Sequence, residues 1–216
     1  MRRKISDSVL LFNGSDGEFE GEIIAASRNE AVIKVKAQTR KQVSSPDITL
    51  LYAPVKNAKN EFIVQKATEM GVSHIQPVIT HNTIKDKTNN ERLRLVAIEA
   101  AEQCERLDVP EVSEIVELDK VLHKYDGHKI MMCDETGRGK PASVVLAHQA
   151  GDRWCILIGP EGGFSEAEIK MLHSMKNIHP VGLGPRILRA ETAIITAIAL
   201  WQNYLGDFGS SPDFRG

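Results

Sequence analysis

The segment GLGPRILRAETA, residues 182–193, sets Arg186, Arg189 and Glu191 around a Gly-Pro turn that runs into an apolar helix. A helix N-terminus carries partial positive charge, so two guanidiniums there oppose the local dipole. Either Arg189 forms an ion pair with Glu191 or Glu161 that shapes the loop, or the arginines face an external anion. A guanidinium offers paired donors to planar anionic groups, and a fixed cation beside developing negative charge acts as oxyanion-hole donors do. A related segment, LIGPEGGFSEAEI (157–169), carries Gly159, Glu161, Gly162 and Gly163. Glycines so placed suit a loop whose backbone lies close to a flat ligand. Neither segment supplies G-x-G-x-x-G or a Gly-Lys-Ser/Thr ending, which excludes the Rossmann and Walker phosphate loops.

Both segments require a strand before them and a helix after them. WCILI and IHPVG supply the strands, and Ser165 with Glu168 three residues on has the capping-box pattern for the helix after the first loop. In parallel α/β sheets ligands bind beside such strand ends. Upstream, ITLLYAPV reads as a strand buried on both faces, KNEFIVQKATEMG as a helix, SHIQPVI as a strand and ERLRLVAIEAAEQCERL as a long helix; KIMMCDE is a further strand. On that long helix Glu102 and Arg106 stand one turn apart and can pair. The alternation predicts an α/β domain with a largely parallel sheet over residues 48–207. The linker SSPD (44–47) separates it from a small β unit over 1–44, whose strands are SVLLF, FEGEIIAAS and AVIKVKA. Lys34, Lys36, Arg40 and Lys41 either guard a strand edge or contact RNA. Residues 208–216 read as a flexible tail.

A net charge of −2 over 216 residues excludes an overall basic field, so any nucleic-acid contact must come from local patches. The three cysteines, Cys104, Cys133 and Cys155, form neither a zinc pattern nor a disulfide framework and read as reduced thiols. The histidines show no metal-ligand spacing, so no metal is expected. MRRK is not followed by an apolar signal segment, and no apolar run reaches membrane-spanning length. A cytoplasmic protein without membrane contact is expected.

The segments LIGPEGGFSEAEI and LGPRILRAETA resemble the two closing motifs of the RsmE-type 16S rRNA uridine N3-methyltransferases, of the SPOUT class. KNEFIVQKATEMGVSHIQPV and ERLRLVAIEAAEQCERLDVPEV resemble the family's early methyltransferase segments, and LLFNGSDGEFEGEI resembles its N-terminal barrel strands. The resemblance implies a C-terminal α/β domain tied in a trefoil knot, preceded by a PUA-like RNA-binding β-barrel domain. It implies S-adenosylmethionine as cofactor, a homodimer with the active site near the subunit interface, and 16S rRNA of the small ribosomal subunit as partner. Relative to the family, MRRKISDSVLLFNG begins inside the barrel, so this domain is expected to be truncated, its first strand and helix lacking.

By matching position, Gly159, Glu161, Gly162 and Gly163 form one cofactor loop and Leu183, Gly184, Ile187 and Leu188 the other, with Cys133–Thr136 as a third wall. Arg106, Glu102 and Gln103 are expected to border the cleft, with Lys66 and Glu69 beside them. Arg2 falls on a family arginine and joins Arg186 as a substrate contact. The chemistry the resemblance implies is displacement at a sulfonium methyl by a uracil N3 that has lost its proton, with Arg189 as the functional arginine facing the charge on O2 and O4 and Glu191 orienting it or helping to remove the proton. Two alternatives stay open: the same fold acting on another RNA target, and a catalytically silent RNA-binding or assembly protein.

Overall fold

A computed structural model describes residues 4–55, 57–84, 87–151 and 153–211. The chain forms two compact units, Met1–Ser44 with Glu105–Val109, and Ser45–Cys104 with Pro110–Gly216. Arg2 and residues 212–216 of the expected tail lie outside the described residues.

The small unit is an antiparallel sheet of β1 (Ser8–Phe12), β2 (Glu18–Ala26) and β3 (Ala31–Arg40), in the order β1-β2-β3. Asn13 shapes the first turn by accepting from the amides of Ser15 and Asp16, both at 2.9 Å. Gly17 closes that turn at φ +87°, where a Cβ would collide with the carbonyl of Arg40. The interior is thin: Ile23 and Leu107 are its buried aliphatic residues, beside the carboxylate of Glu18. Arg40 binds Glu18 through Nη2 at 2.8 Å and the Glu105 carbonyl at 3.0 Å, and Thr39 Oγ1 donates to Glu18 Oε1 at 2.7 Å. Arg40 therefore points into the unit, and Lys36 is held by Glu22 at 3.0 Å. β3 is an edge strand with Val32 and Val35 exposed, the setting in which lysines discourage edge pairing.

The large unit begins with β4 (Ile48–Tyr52), α1 (Asn57–Glu69), β5 (His74–Ile79), α2 (Asn90–Gln103), and the short β6 (Glu111–Val112) and β7 (Val116–Glu117). It continues through α3 (Leu118–Lys124), β8 (Lys129–Cys133), β9 (Lys140–Pro141), α4 (Ala142–Leu146), β10 (Trp154–Ile158), α5 (Glu166–Ser174), β11 (Ile178–Gly182) and α6 (Ala190–Tyr204). The sheet order is β6-β5-β4-β10-β8-β11-β9, with β7 beside β5, and every pairing is parallel. Ile48, Leu50, Tyr52, Trp154, Ile156 and Ile158 face α1, α2, α4 and α6, whereas Leu51, Cys155 and Leu157 face α3 and α5. Burial on both faces is why β4 and β10 read as continuous apolar runs rather than alternating ones.

One helix differs from its sequence pattern. α2 stops at Gln103 instead of continuing to Leu107, because Cys104 leaves the helix (φ −91°, ψ 5°) and Glu105 turns left-handed at φ +59°. Arg106 is therefore not on the helix and does not pair with Glu102; its Nε meets Asp108 at 3.0 Å within the small unit. Two buried amides fix the ends of α1. Asn60 accepts from the Val55 amide at 3.0 Å and donates to its carbonyl at 2.9 Å, while Gln202 of α6 donates to the Met70 carbonyl at 2.7 Å.

Candidate active site

From β4 the chain moves outward through β5 on one side, while β10 lies on the other, so strand order reverses between β4 and β10. Crevices at the carboxyl ends of strands flanking such a reversal are where open α/β sheets bind ligands. The loop after β10 lies there, with α1 entering from the end of β4.

Lys59, near the start of α1, ties the crevice together. Its Nζ reaches Glu161 of the loop after β10 at 3.2 Å and Glu191 in the first turn of α6 at 3.4 Å. The hydrogen bond to Glu161, then the charge of Glu191, push its pKa up, so the ammonium persists through neutral pH. The expected alternative ion pair of Arg189 with Glu161 or Glu191 is not formed; both carboxylates go to Lys59. Among the described residues, Arg186 and Arg189 make no ion pair and are exposed, so the second expectation, cations facing outward, is the one with groups available for it.

The first loop is rigidly held. The capping box is formed: Ser165 accepts from the Glu168 amide and its own amide donates to Glu168 Oε2 at 2.8 Å. Glu168 Oε1 also accepts from the His81 amide at 2.8 Å, and Asn82 Nδ2 donates to the carbonyls of Gly162 at 3.1 Å and Gly163 at 3.0 Å. These two carbonyls thus already have a partner within the protein. A Cβ on Gly159 would press on the Phe164 ring at 2.8 Å. Gly163 adopts φ +70° and lies under the Glu135 carboxylate, where a Cβ would collide. Glu135, within the expected third wall, therefore does stand against this loop, and burial followed by the Asp134 charge pushes its pKa up. Cys133 is an inert thiol, raised to about 12 by burial.

The second loop is open. Leu183 packs on the core, Leu188 is half-buried and Ile187 is 92% exposed. Gly184 adopts φ +111° with free space where a Cβ would be. Among the described residues nothing hydrogen-bonds the main chain of residues 184–188, and Arg189, the N-cap residue of α6, gives no side-chain cap. Uncovered aliphatic surface beside unbonded amides and carbonyls fits a flat ligand that is apolar on its faces and polar along its edge. Beside it, Lys59, Phe62, Glu191, Thr192 and Ile195 line a cleft of about 460 Å³. Glu191 Oε2 is buried there without a hydrogen-bond partner.

Other expected residues are not gathered here. α2 is the crossover between the parallel strands β5 and β6, so it runs back against them and ends at the amino edge of the sheet. Glu102 and Gln103 are its last two residues and stand at the edge opposite the loops. Lys66 and Glu69, on the last turn of α1, pair with each other at 2.7 Å. Arg106 is taken by Asp108. Lys59 and Asn82 escaped sequence reasoning because a lone lysine on a helix and an asparagine in a polar loop carry no spacing signal. Among the described residues, no helix is long and apolar enough to cross a membrane.

Residues 43–202 match the family model for an RNA methyltransferase domain. A Rickettsia conorii protein named ribosomal RNA small subunit methyltransferase E is 35% identical over 92% of this chain and 82% of its own length. Its Bacillus subtilis namesake is 29% identical over the same shares. Among solved structures, a ribosomal RNA small subunit methyltransferase E from Neisseria gonorrhoeae bound to S-adenosylmethionine superposes with a TM-score of 0.84, at 28% identity, over 95% of this chain and 86% of that one. A Legionella pneumophila putative methyltransferase, also with S-adenosylmethionine, gives 0.85 at 29% identity over the same shares.

Proposed function

The chain belongs to the ribosomal RNA small subunit methyltransferase E family, and on that premise we propose that it methylates N3 of a uridine in 16S rRNA of the small subunit, using S-adenosylmethionine. The observation that carries this is the open second loop beside a pair of unpaired arginines, with Glu161 and Glu191 both bound by Lys59 instead of by the arginines.

The residues present fit the cofactor. Its adenine suits the uncovered aliphatic surface of Leu183, Ile187 and Leu188, and its ring nitrogens suit the unbonded main chain at Gly184 and beyond. Gly159, Glu161, Gly162 and Gly163 would form the facing wall, and in this family the strands here would form a trefoil knot. When bound, S-adenosylmethionine supplies an electrophilic methyl group on a sulfonium.

The protein's own part is to prepare the acceptor. The uracil imide is a poor nucleophile until the N3 proton leaves, and Glu191, the carboxylate lining the cleft beside Lys59, helps to remove that proton. The resulting charge on O2 and O4 is met by the Arg189 guanidinium, and Arg186 holds an adjoining phosphate. Arg106 is bound to Asp108, and no catalytic part is proposed for it. The small sheet is assigned as PUA-like and RNA-binding. The exposed Phe62 and the α1–α6 cleft form the surface through which two copies would associate as a homodimer.

The test is transfer of labelled methyl from S-adenosylmethionine to small subunits lacking the modification, followed by nucleoside analysis. Label is expected in 3-methyluridine. Arg189→Ala should lower kcat by about 10²–10³ with cofactor affinity unchanged. Label in another nucleoside would overturn the uridine N3 assignment.

A further inference from the structure

The edge of the large unit's sheet holds a second cleft, of about 640 Å³, and none of its described lining residues belongs to the loops after β10 and β11. Arg138 lines it from the loop before β9, Lys140 from β9, His148 from the turn after α4, His173 from α5 and His179 from β11. No carboxylate is among its described lining residues. Lys129 stands close by, its Nζ donating to Gln149 Oε1 at 2.9 Å and lying 5.5 Å from the Trp154 ring that His179 tilts against. In a chain of net charge −2 this gathers three cations and three imidazoles in one place.

These groups are not occupied with one another. Among the described residues, Arg138 and Lys140 have no ion pair. His148 bonds the Val144 carbonyl through Nδ1 at 2.9 Å, which makes that nitrogen the donor and leaves Nε2 as the remaining one. One carboxylate, Asp134, lies buried beside His173: its Oδ1 accepts from the Thr136 amide, and its Oδ2, without a hydrogen-bond partner, stands 3.8 Å from that imidazole. Unpaired cations beside one another repel, and a fold that holds them so has a place for negative charge.

The chemistry narrows the occupant. The histidines do not form a metal-ligating group: among the described residues no three His, Cys, Asp or Glu side chains converge. Strand addition is also blocked, because Pro180 has no amide proton and β9 already covers Val181 and Gly182. Guanidinium, ammonium and imidazole side by side match phosphodiester groups, with planar rings on which bases can stack. The geometry points to this cleft as a binding site for the phosphate backbone of a single-stranded RNA segment, separate from the methyl-transfer crevice. It rests on the proposed RNA methylation only for supposing that the RNA is the substrate's own.

The experiment is fluorescence anisotropy of a labelled single-stranded RNA oligonucleotide over a salt series, with wild type, Arg138→Glu/Lys140→Glu, and the charge-keeping Arg138→Lys/Lys140→Arg. Each phosphate contact on a single strand contributes about 0.7 to the slope of log K against log salt, so loss of two should flatten it by about 1.4. The charge-reversed variant is expected to bind at least about tenfold more weakly, with the wild-type affinity for S-adenosylmethionine showing that it is folded; the charge-keeping variant should retain the slope. An unchanged slope in the reversed variant overturns the site while leaving methylation standing. Altered RNA binding with no methyl transfer by wild type would overturn the proposed activity and leave the site. Equal competition by poly-glutamate would overturn RNA as the occupant.

Discussion

In the large unit all the residues of β4 and β10 are buried and, apart from Thr49, apolar. The small sheet instead buries Glu18 against Arg40 and leaves Ile24, Val32 and Val35 exposed. Each unit also has one ion-pair cluster that matters, and the clusters differ in kind. Glu18 is 1% exposed and Arg40 14%; Thr39 also donates to Glu18, and the Glu105 carbonyl accepts from Arg40. Lys59 and Glu161 are far more open to water. A buried pair is costly to break because the remaining charge stays desolvated, whereas an exposed pair adds little to stability. Charge therefore holds the fold together in the small unit, and in the large unit it sets the spacing of two loops.

The largest effect expected is from Glu18→Ala. Removing one partner of a buried pair typically costs about 3–5 kcal/mol, more than so thin an apolar interior can supply. Hydrogen exchange should show β2 and β3 amides losing protection while β4 and β10 keep theirs. Equal loss in both units would mean that the pair stabilises the chain as a whole and would break the contrast.

Lys59→Met should act in the opposite sense. The thermal midpoint should fall far less than in Glu18→Ala, because Lys59 and Glu161 are open to water and only Glu191 is largely buried. Released from their common cation, Glu161 and Glu191 repel, and the two loops lose their spacing. A misplacement of about 1 Å can cost about 10²-fold in rate, so methyl transfer should fall by about that factor, with weaker S-adenosylmethionine binding by calorimetry. A large drop in midpoint with unchanged transfer would make Lys59 a stability residue after all.

The same contrast explains what could be read from the sequence. Apolar runs and helical spacing over residues 48–204 gave the strands and helices of the large unit, because burial on both faces leaves a periodic record. The Ser165 cap was legible for a similar reason, its partner Glu168 being local in sequence. Arg106 was misplaced because the turn after α2 relies on Glu105 at φ +59°, a conformation usually announced by Gly or Asn. Arg40 looked like part of a basic surface cluster, although its guanidinium turns inward to Glu18, 22 residues away in sequence. Lys59 meets its partners 102 and 132 positions later, since 161 − 59 = 102 and 191 − 59 = 132. Such pairings arise only from the order of strands, and spacing along the chain holds no trace of them.

The smallest effect expected is on pH dependence, and it should separate the units again. All seven histidines lie in the large unit. His74, bonded to Ser113 at 2.7 Å, and His179 both have pKa values lowered from the ordinary 6.5, in each case first by burial. For His74 the charges of Glu111 and Asp47 oppose the shift and Lys124 adds to it; for His179 Lys129 adds to it. Above pH 6.5 the folded and unfolded forms are both neutral and the contribution to stability is fully present. As pH falls below 6.5 the unfolded chain takes up the proton first, so stability is lost through the folded pKa. Between about pH 7.5 and 5.5, above the ordinary carboxylate range near 4, protection in β5 and β11 should fall gently while β2 and β3 stay level. His74→Gln, which can still bond Ser113, should flatten most of the slope in β5. A steeper loss in the small sheet over that window would show that its buried carboxylate, rather than the histidines, responds first to acid.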